Sequence, residues 1–588
     1  MKMIKFIFTL MVVAFLVLCT GKVTHAEVTS DGFAYTELAD GTIEIVYYHG
    51  TEATVTIPST IDGKQVTVLG NNSFNSHTQL TSVKIPYGVK AIGLGAFMGC
   101  TSLEEIDIPD SVVSYGEDVF SGCENLSHVK FSNNCKYISG GMFYGCNNLR
   151  SIVIPDTIER INDSAFSDCD KLETVSIPDS VTFYGEWIFS CCDKLKSVTL
   201  SNNCTYISEG MFSCCIALNN IVFPDNLETI KESAFHSCEA LDNIMFNSTL
   251  KSIGDSAFGY CKFKEVHLPE SIVSIEAFAF RNCNQLETFT LPKFVESYAG
   301  SAFIDCYNLK SVYVENDNKQ YVDVDGIVFN REKTEILTYP AGRKGTSYVI
   351  PQSVQTIGHY AFNANPYIKD IVIPYGVKII KTGAFSHTKI KSFALPDSVQ
   401  TIEKFAFDDC EYLQEFVIPK SVKRIEHGVF DECRKLKYIE IPKQVTYING
   451  EAFGNLNRAK KRITFITPKN SYAYKYAKKN GFKYSAETAP NISSVKNFTV
   501  ESGKKSLTLK WSKQSKVDGY EIIYAKSNNG KIIKKYKIDK SNKKKKLTKL
   551  YKKQAYMVSI RAYKNYKNYK GKTDVAYGDW IIVERRTK

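Results

Sequence analysis

The sequence predicts a repeat solenoid of parallel β-strands joined by short helical turns, followed by a β-sandwich. Three observations carry this reading. First, a 23-residue pattern is marked by Phe74, Phe97, Phe120, Phe143, Phe166, Phe189, Phe212, Phe235 and Phe258 without a slip, then by Phe280 and Phe303. After an insertion it resumes at Phe362, Phe385, Phe407, Phe430 and Phe453, sixteen turns in all, and a fixed period of this size means stacked coils. Second, each unit opens with period-2 alternation, the mark of a strand with one buried face. Third, the last hundred residues change to short alternating runs (SLTLKWS, GYEIIYAKS, KIIKKYKID, AYMVSIRAYK, DWIIVERR) spaced as in a sandwich.

Leu80 to Ser102, LTSVKIPYGVKAIGLGAFMGCTS, shows one unit in full. Val83 and Ile85 point one way, Ser82 and Lys84 the other. Pro86 ends the strand because it brings no N–H to a ladder. Val89 and Ile92 begin a second apolar edge, and Ala96, Phe97 and Cys100 follow at helical spacing, which predicts a short turn of helix. One coil cannot bury these faces alone, but stacked coils cover one another.

The unit L-x-x-V-x-I-P-x-x-V-x-x-I-x-x-x-A-F-x-x-C resembles the BspA-like leucine-rich repeat over about residues 50–467. That resemblance implies a right-handed leucine-rich-repeat solenoid of the kind found in bacterial surface proteins. It implies extracellular binding or adhesion as the use of the fold, and it brings no catalytic residues.

Residues 1–26 read as a secretory signal peptide: Lys2 and Lys5, an apolar run from Phe6 to Leu18, then Thr24-His25-Ala26 as a cleavage site. The competing reading, an uncleaved anchor, needs a longer apolar run. Lipidation at Cys19 lacks the small residue expected before it, since Val17-Leu18 stand there. No other run could cross a bilayer, and the closing IIVERRTK resembles no wall-sorting signal. The expected location is secreted or extracellular, with cell-surface association.

Residues 27–73 form a capping hairpin and first coil, with Asp40-Gly41 as the turn signal, because a bare solenoid end exposes apolar surface and strand edges. Repeats run over 74–467. Residues 115–146 and 184–215 resemble each other at an offset of 69, three coils, so coil shape was being copied. A variant hairpin repeat is expected at about 315–350, where Asp323-Val324-Asp325-Gly326 faintly resembles a calcium loop without the following carboxylates. A capping helix is expected at 468–484, opened by Ser471 and closed by Gly481, then a linker at 485–492.

Residues 493–588 resemble a fibronectin type III module. Trp511 matches the family's core tryptophan, and Leu550 with Tyr556 matches its tyrosine corner, although Lys552-Lys553 replace the usual Pro-Gly. From Pro490 onward there are 27 Lys plus Arg against 7 Asp plus Glu, whereas residues 1–489 carry 47 against 55. So basic a domain favours anionic partners such as cell-wall polymers, acidic glycans or headgroups. Nucleic acid is not an expected partner.

Of the seventeen cysteines, twelve sit three residues after a repeat phenylalanine, from Cys100 to Cys433, with no C-x-x-C among them. Metal binding, redox chemistry and inter-coil disulfides compete with a plainer role, a small apolar residue filling a narrow turn, and the plainer role is favoured. Cys135 and Cys204 support it, because they occupy the slot of Val112. No H-E-x-x-H, G-x-S-x-G, P-loop or dinucleotide fingerprint occurs, and no carboxylate stands in a buried repeat slot. The expectation is no catalytic residue, no cofactor and no metal site.

What remains is surface. The outward strand positions form a strip: Lys84, Asp107, Lys130, Val153, Ser176, Thr199, Val222, Met245, His267, Thr290 and Tyr313. Beside it runs Ser82, Glu105, His128, Ser151, Thr174, Ser197, Asn220 and Asn243. Val153, Val222, Met245 and Tyr313 are apolar where water is expected, which points to a contact area. The function expected is binding of extracellular protein or glycan partners through this face, with the basic domain as spacer or attachment. The alternative is a cell-wall or glycan-associated accessory protein or hydrolase with the solenoid as scaffold.

Overall fold

The computed structural model describes residues 26–486, 490, 492–567 and 573–588. The expected signal peptide lies outside these but for Ala26, as do residues 487–489 and 491 of the expected linker. The chain is a parallel-strand solenoid of about 19 turns with very little helix, ending in a β-sandwich. Two compact units divide it, Met1–Phe280 and Arg281–Lys588.

In the first unit, Phe33–Glu37 and Ile43–Tyr48 pair antiparallel across a turn in which the Gly41 N–H donates to the Leu38 carbonyl at 2.9 Å. Ile43–Tyr48 then pairs parallel with Lys64–Leu69, and the coils follow. Most coils contribute to two ladders. One runs through Ser82–Lys84, Glu105–Asp107 and His128–Lys130, and is taken up again by Ser151–Val153, Thr174–Ser176, Ser197–Thr199 and Asn220–Val222. The other consists of two-residue strands such as Ala91–Ile92 and Ser114–Tyr115. Proline closes the first strand of a coil and opens the next turn: the Val112 N–H donates to the Pro109 carbonyl at 3.0 Å.

The spacing suggested a short helix around the repeat phenylalanines, but these segments are turns and not helix. Cys100 N–H to Phe97 O (3.2 Å) and Leu103 N–H to Cys100 O (3.0 Å) close single turns only. The amides of Gly95, Phe97 and Gly99 instead reach the carbonyls of Glu117, Val119 and Ser121 in the next coil, at 2.8, 2.9 and 2.7 Å. Alternate N–H groups are therefore spent between coils and are not free to close a helix. Left-handed residues flank the phenylalanine as well, Gly95 (φ 58°) and Gly99 (φ 72°) here, Ser164 and Asp168 three coils on. A left-handed residue stops a helix from propagating. Among the described residues of the repeats before Leu456, only Gly300–Phe303 closes as a 3-10 turn.

The core is a stack of rings. From Phe74 to Phe280 successive phenylalanines lie 5.0–5.8 Å apart and within 21° of parallel. Such pairs add roughly 0.5–1.5 kcal/mol each beyond simple burial. The capping hairpin continues the stack with Tyr48, 5.4 Å from Phe74, and Phe33, 4.8 Å from Tyr48. Beside the stack, slot cysteines donate their thiols to the carbonyl of the phenylalanine in the preceding coil, Cys100 to Phe74 at 3.1 Å and Cys123 to Phe97 at 3.2 Å. The thiol thus adds a second donor to a carbonyl that already accepts one backbone N–H, as the Phe97 oxygen does from Cys100, a contact that valine or alanine could not make.

In the second unit the variant repeat is a pair of hairpins, Tyr321–Val324 with Ile327–Asn330 and Ile327–Asn330 with Glu335–Thr338. Tyr339 takes the place of the repeat phenylalanine, 4.9 Å from Phe362, and stacking resumes through Phe385, Phe407 and Phe430 to Phe453. The stack ends against Phe465 and Phe482, under a helix Tyr472–Asn480. Ser471 caps that helix by accepting from the Tyr474 N–H at 3.1 Å, and Gly481 (φ 77°) ends it.

The sandwich has a three-stranded sheet (Thr499–Gly503, Ser506–Lys510, Lys544–Leu547) and a five-stranded one (Ile532–Asp539, Gly519–Lys526, Ala555–Lys567, Thr573–Tyr577, Ile581–Arg586). Trp511 is buried between them, 5.4 Å from Tyr520 edge to face. The Tyr556 hydroxyl accepts from the Tyr551 N–H at 3.0 Å, a side-chain tie across the turn that precedes its strand.

Candidate binding face

The strip positions on the first unit are all open to solvent. Lys84, Asp107 and Lys130 stand on one run of the ladder. Val153, Ser176, Thr199 and Val222 stand on the next, in direct register. Met245 and His267 differ from the sequence expectation: the stretches that carry them belong to no ladder. Here Asn247 takes over part of the holding, its Nδ2 donating to the carbonyls of Pro224 (3.0 Å) and Leu227 (2.8 Å) of the preceding coil. His267 lies 3.3 Å from Glu265 in an exposed pair of small energetic weight. In the second unit Thr290 pairs with Tyr313. Val153 (81% exposed), Val222 (71%) and Met245 (82%) are far more open than Tyr313 (46%).

The same outward slot continues in the second unit at Val349 and Val372, which pair across Ser347–Val349 and Asp370–Val372. These two are buried. Ile523, Ala525, Met557, Trp580 and Ile582 of the five-stranded sheet pack on them as one apolar cluster. The Val349 N–H donates to the Gly530 carbonyl at 3.1 Å, and the Tyr375 N–H to the Trp580 carbonyl at 3.4 Å. Lys535 pairs with Asp370 at 3.1 Å. Gly530 has to be glycine, because its φ is +62° and a Cβ there would lie 2.4 Å from the Tyr348 ring.

Asp579 lies at the edge of this contact. It accepts from the Asp397 N–H at 3.2 Å and the Ser494 hydroxyl at 3.0 Å, and burial pushes its carboxyl pKa up. Behind the contact, Arg561 is sandwiched between the rings of Tyr577 (3.5 Å) and Trp580 (4.4 Å) and paired with Glu521 at 2.6 Å. The basic domain is therefore seated on the solenoid of its own unit, not held off as a spacer. Sequence reasoning missed this, although a signal was present. Along Ala555–Lys567, Tyr556, Val558 and Ile560 face the sandwich core while Met557 and Ser559 on the other face are also buried.

No other chemistry gathers. Among the described residues no group of three or more His, Cys, Asp or Glu is placed to hold a metal ion. In the loop that faintly resembled a calcium site, Asp323 spends both oxygens on the N–H groups of Val314 and Gly326, each at 3.0 Å. Asp325 is paired with Arg343. The sixteen described cysteines are free thiols, and burial pushes Cys100 up to about 12, which disfavours a reactive thiolate. No described helix is long and apolar enough to cross a membrane.

The BspA type leucine-rich repeat region matches residues 47–169, 138–261, 206–324 and 341–460. The chain belongs to the BspA-type leucine-rich repeat family. The fibronectin type III domain matches residues 493–574. No curated protein matches the chain. Among solved structures it is similar to a leucine-rich repeat protein from Bacteroides ovatus, 22% identical over 78% of this chain and 99% of that one, TM-score 0.44. It is also similar to a leucine rich cell surface protein from Faecalibacterium prausnitzii, 22% identical over 80% and 100%, TM-score 0.33. A third is the pneumococcal vaccine antigen PcpA, 18% identical over 80% and 100%, TM-score 0.30. BspA-type solenoids and fibronectin type III domains are, as classes, binding scaffolds.

Proposed function

We propose that this BspA-type protein is a secreted or surface-associated bacterial binding protein and not an enzyme. Its first-unit strand face recognises extracellular macromolecules of a host or a neighbouring cell. The observation that carries the reading is the exposure of Val153, Val222 and Met245 on a wall whose interior slots barely vary. Isolated apolar side chains are common on surfaces, but Val153 and Val222 share one ladder with Ser176 and Thr199 between them, and Met245 takes the same slot one coil beyond, so one wall carries all three. The basic C-terminal domain adds attraction to anionic cell-wall polymers.

The test uses the full chain. Immobilised wild type is screened against a panel of purified matrix glycoproteins and surface proteins, and any hit is repeated with Val222→Asp/Met245→Asp. Loss of at least tenfold in affinity with unchanged melting supports the strip as the site. A hit that survives the double variant places recognition elsewhere, and an empty panel counts against the adhesive reading.

A further inference from the structure

We propose that the C-terminal domain carries a defined site for a linear polyanion along its free edge, on Lys544–Leu547 and the turn before it. The proposal rests on the reading of that domain as the part that meets anionic polymers. Residues 531–553 hold twelve lysines and a single acid, Asp539. That acid is tied into its own turn by the Ser541 N–H at 2.8 Å, which with the Ser541 side chain lowers its pKa. Lys535 is committed to Asp370. Among the described residues Lys540, Lys543, Lys544 and Lys546 are exposed, and none of them is in an ion pair.

Two lysines from different strands also crowd one ring. Lys545 Nζ is 4.4 Å and Lys534 Nζ 5.2 Å from the centroid of Tyr536. The ring face offsets part of their repulsion, and among the described residues no carboxylate is ion-paired with either. An uncompensated cluster of this kind gains most from an incoming anion.

The strand geometry selects a chain-like ligand. Lys544 and Lys546 lie on the same side of an edge strand, roughly 7 Å apart at about 3.4 Å per residue. A polymer with regularly spaced phosphates or sulfates can meet them in succession, with Lys543 and Lys540 extending the track. A single small anion gains only one such contact. This edge belongs to the three-stranded sheet, whereas the apolar contact with the solenoid is made by the five-stranded sheet, so seating the domain leaves the edge open.

The full chain is titrated with long-chain polyphosphate, with orthophosphate, and with vesicles of phosphatidylglycerol in phosphatidylcholine. Wild type is expected to bind polyphosphate with a logarithmic salt dependence, and orthophosphate at least a hundredfold more weakly per phosphate. Lys543→Glu/Lys544→Glu/Lys546→Glu should bind at least tenfold more weakly, with a salt slope smaller by about 2–3. Lys549→Glu/Lys552→Glu/Lys553→Glu, beyond the far end of the strand, changes the charge by the same amount and should cost less than threefold. If wild type ignores polyphosphate, the polyanion reading itself falls. If both variants lose affinity equally, the domain is a diffuse polycation and the site falls while the reading stands. Vesicles bound more tightly than the polymer would overturn the ligand class.

Discussion

The strand face of the first unit and that of the second are built from the same slot and treated differently. Val153 and Val222 stand in water, whereas Val349 and Val372 lie under the chain's own sandwich domain. An apolar residue in the outward slot is thus compatible with either fate, and what decides is whether a matching apolar sheet is available. The covered stretch shows the chemistry this wall accepts: aliphatic side chains against a sheet, two backbone hydrogen bonds at the rim, one lysine on an acid of the neighbouring row. The open stretch offers the same aliphatic surface with no occupant from its own unit.

The largest effects test what the two regions share. Phe166→Ala in the first unit and Phe407→Ala in the second each remove a fully buried ring from a continuous stack. Each should cost about 3–5 kcal/mol, read as a loss in denaturant midpoint. A much smaller loss at one of them would mean that the two cores are not equivalent.

Next come substitutions that separate the faces. Val372→Asp places a carboxylate in the apolar contact and should cost about 3 kcal/mol of seating, seen as faster amide exchange in Gly519–Lys526. Val222→Asp should change stability by less than about 0.5 kcal/mol. Gly530→Ala is expected to cost about 1–2 kcal/mol, because it meets both the left-handed backbone and the Tyr348 ring.

The smallest effect is a pH dependence. The Asp579 pKa is raised in the seated state, chiefly by burial, so the seated state holds its proton to higher pH than the free carboxylate does. Its contribution favours seating at low pH and weakens as pH rises through the raised pKa. Amide protection of the contact should therefore fall as pH rises from the ordinary carboxylate range to neutrality, and Asp579→Asn should flatten the difference.

Much of the fold was legible because a 23-residue period and a strand alternation are one-dimensional signals. The turns around each phenylalanine were not. Ala96, Phe97 and Cys100 have helical spacing, but the amides that would close a helix are drawn into the neighbouring coil, a contact that spacing within one coil does not reveal. Left-handed residues such as Trp187 and Tyr360 carry no glycine to announce them. On the candidate face, every strip residue from Lys84 to Thr199 lies where alternation placed it. Met245 and His267 left the ladder because their coils do not complete it. The two-sided burial of Ala555–Lys567 signalled a partner for the C-terminal domain but not which one, because Val349 and Val372 follow an insertion that breaks the register and their cover comes from residues more than 150 positions away.

Methionine oxidation tests the contrast most directly, since Met245 (82% exposed) sits on the open face and Met557 (3%) under the covered one. The full native chain is treated with dilute hydrogen peroxide and its methionine sulfoxides are followed by peptide mass spectrometry. Met245 should oxidise at least tenfold faster than Met557. Equal rates would mean that the sandwich does not stay on the solenoid and would contradict the account.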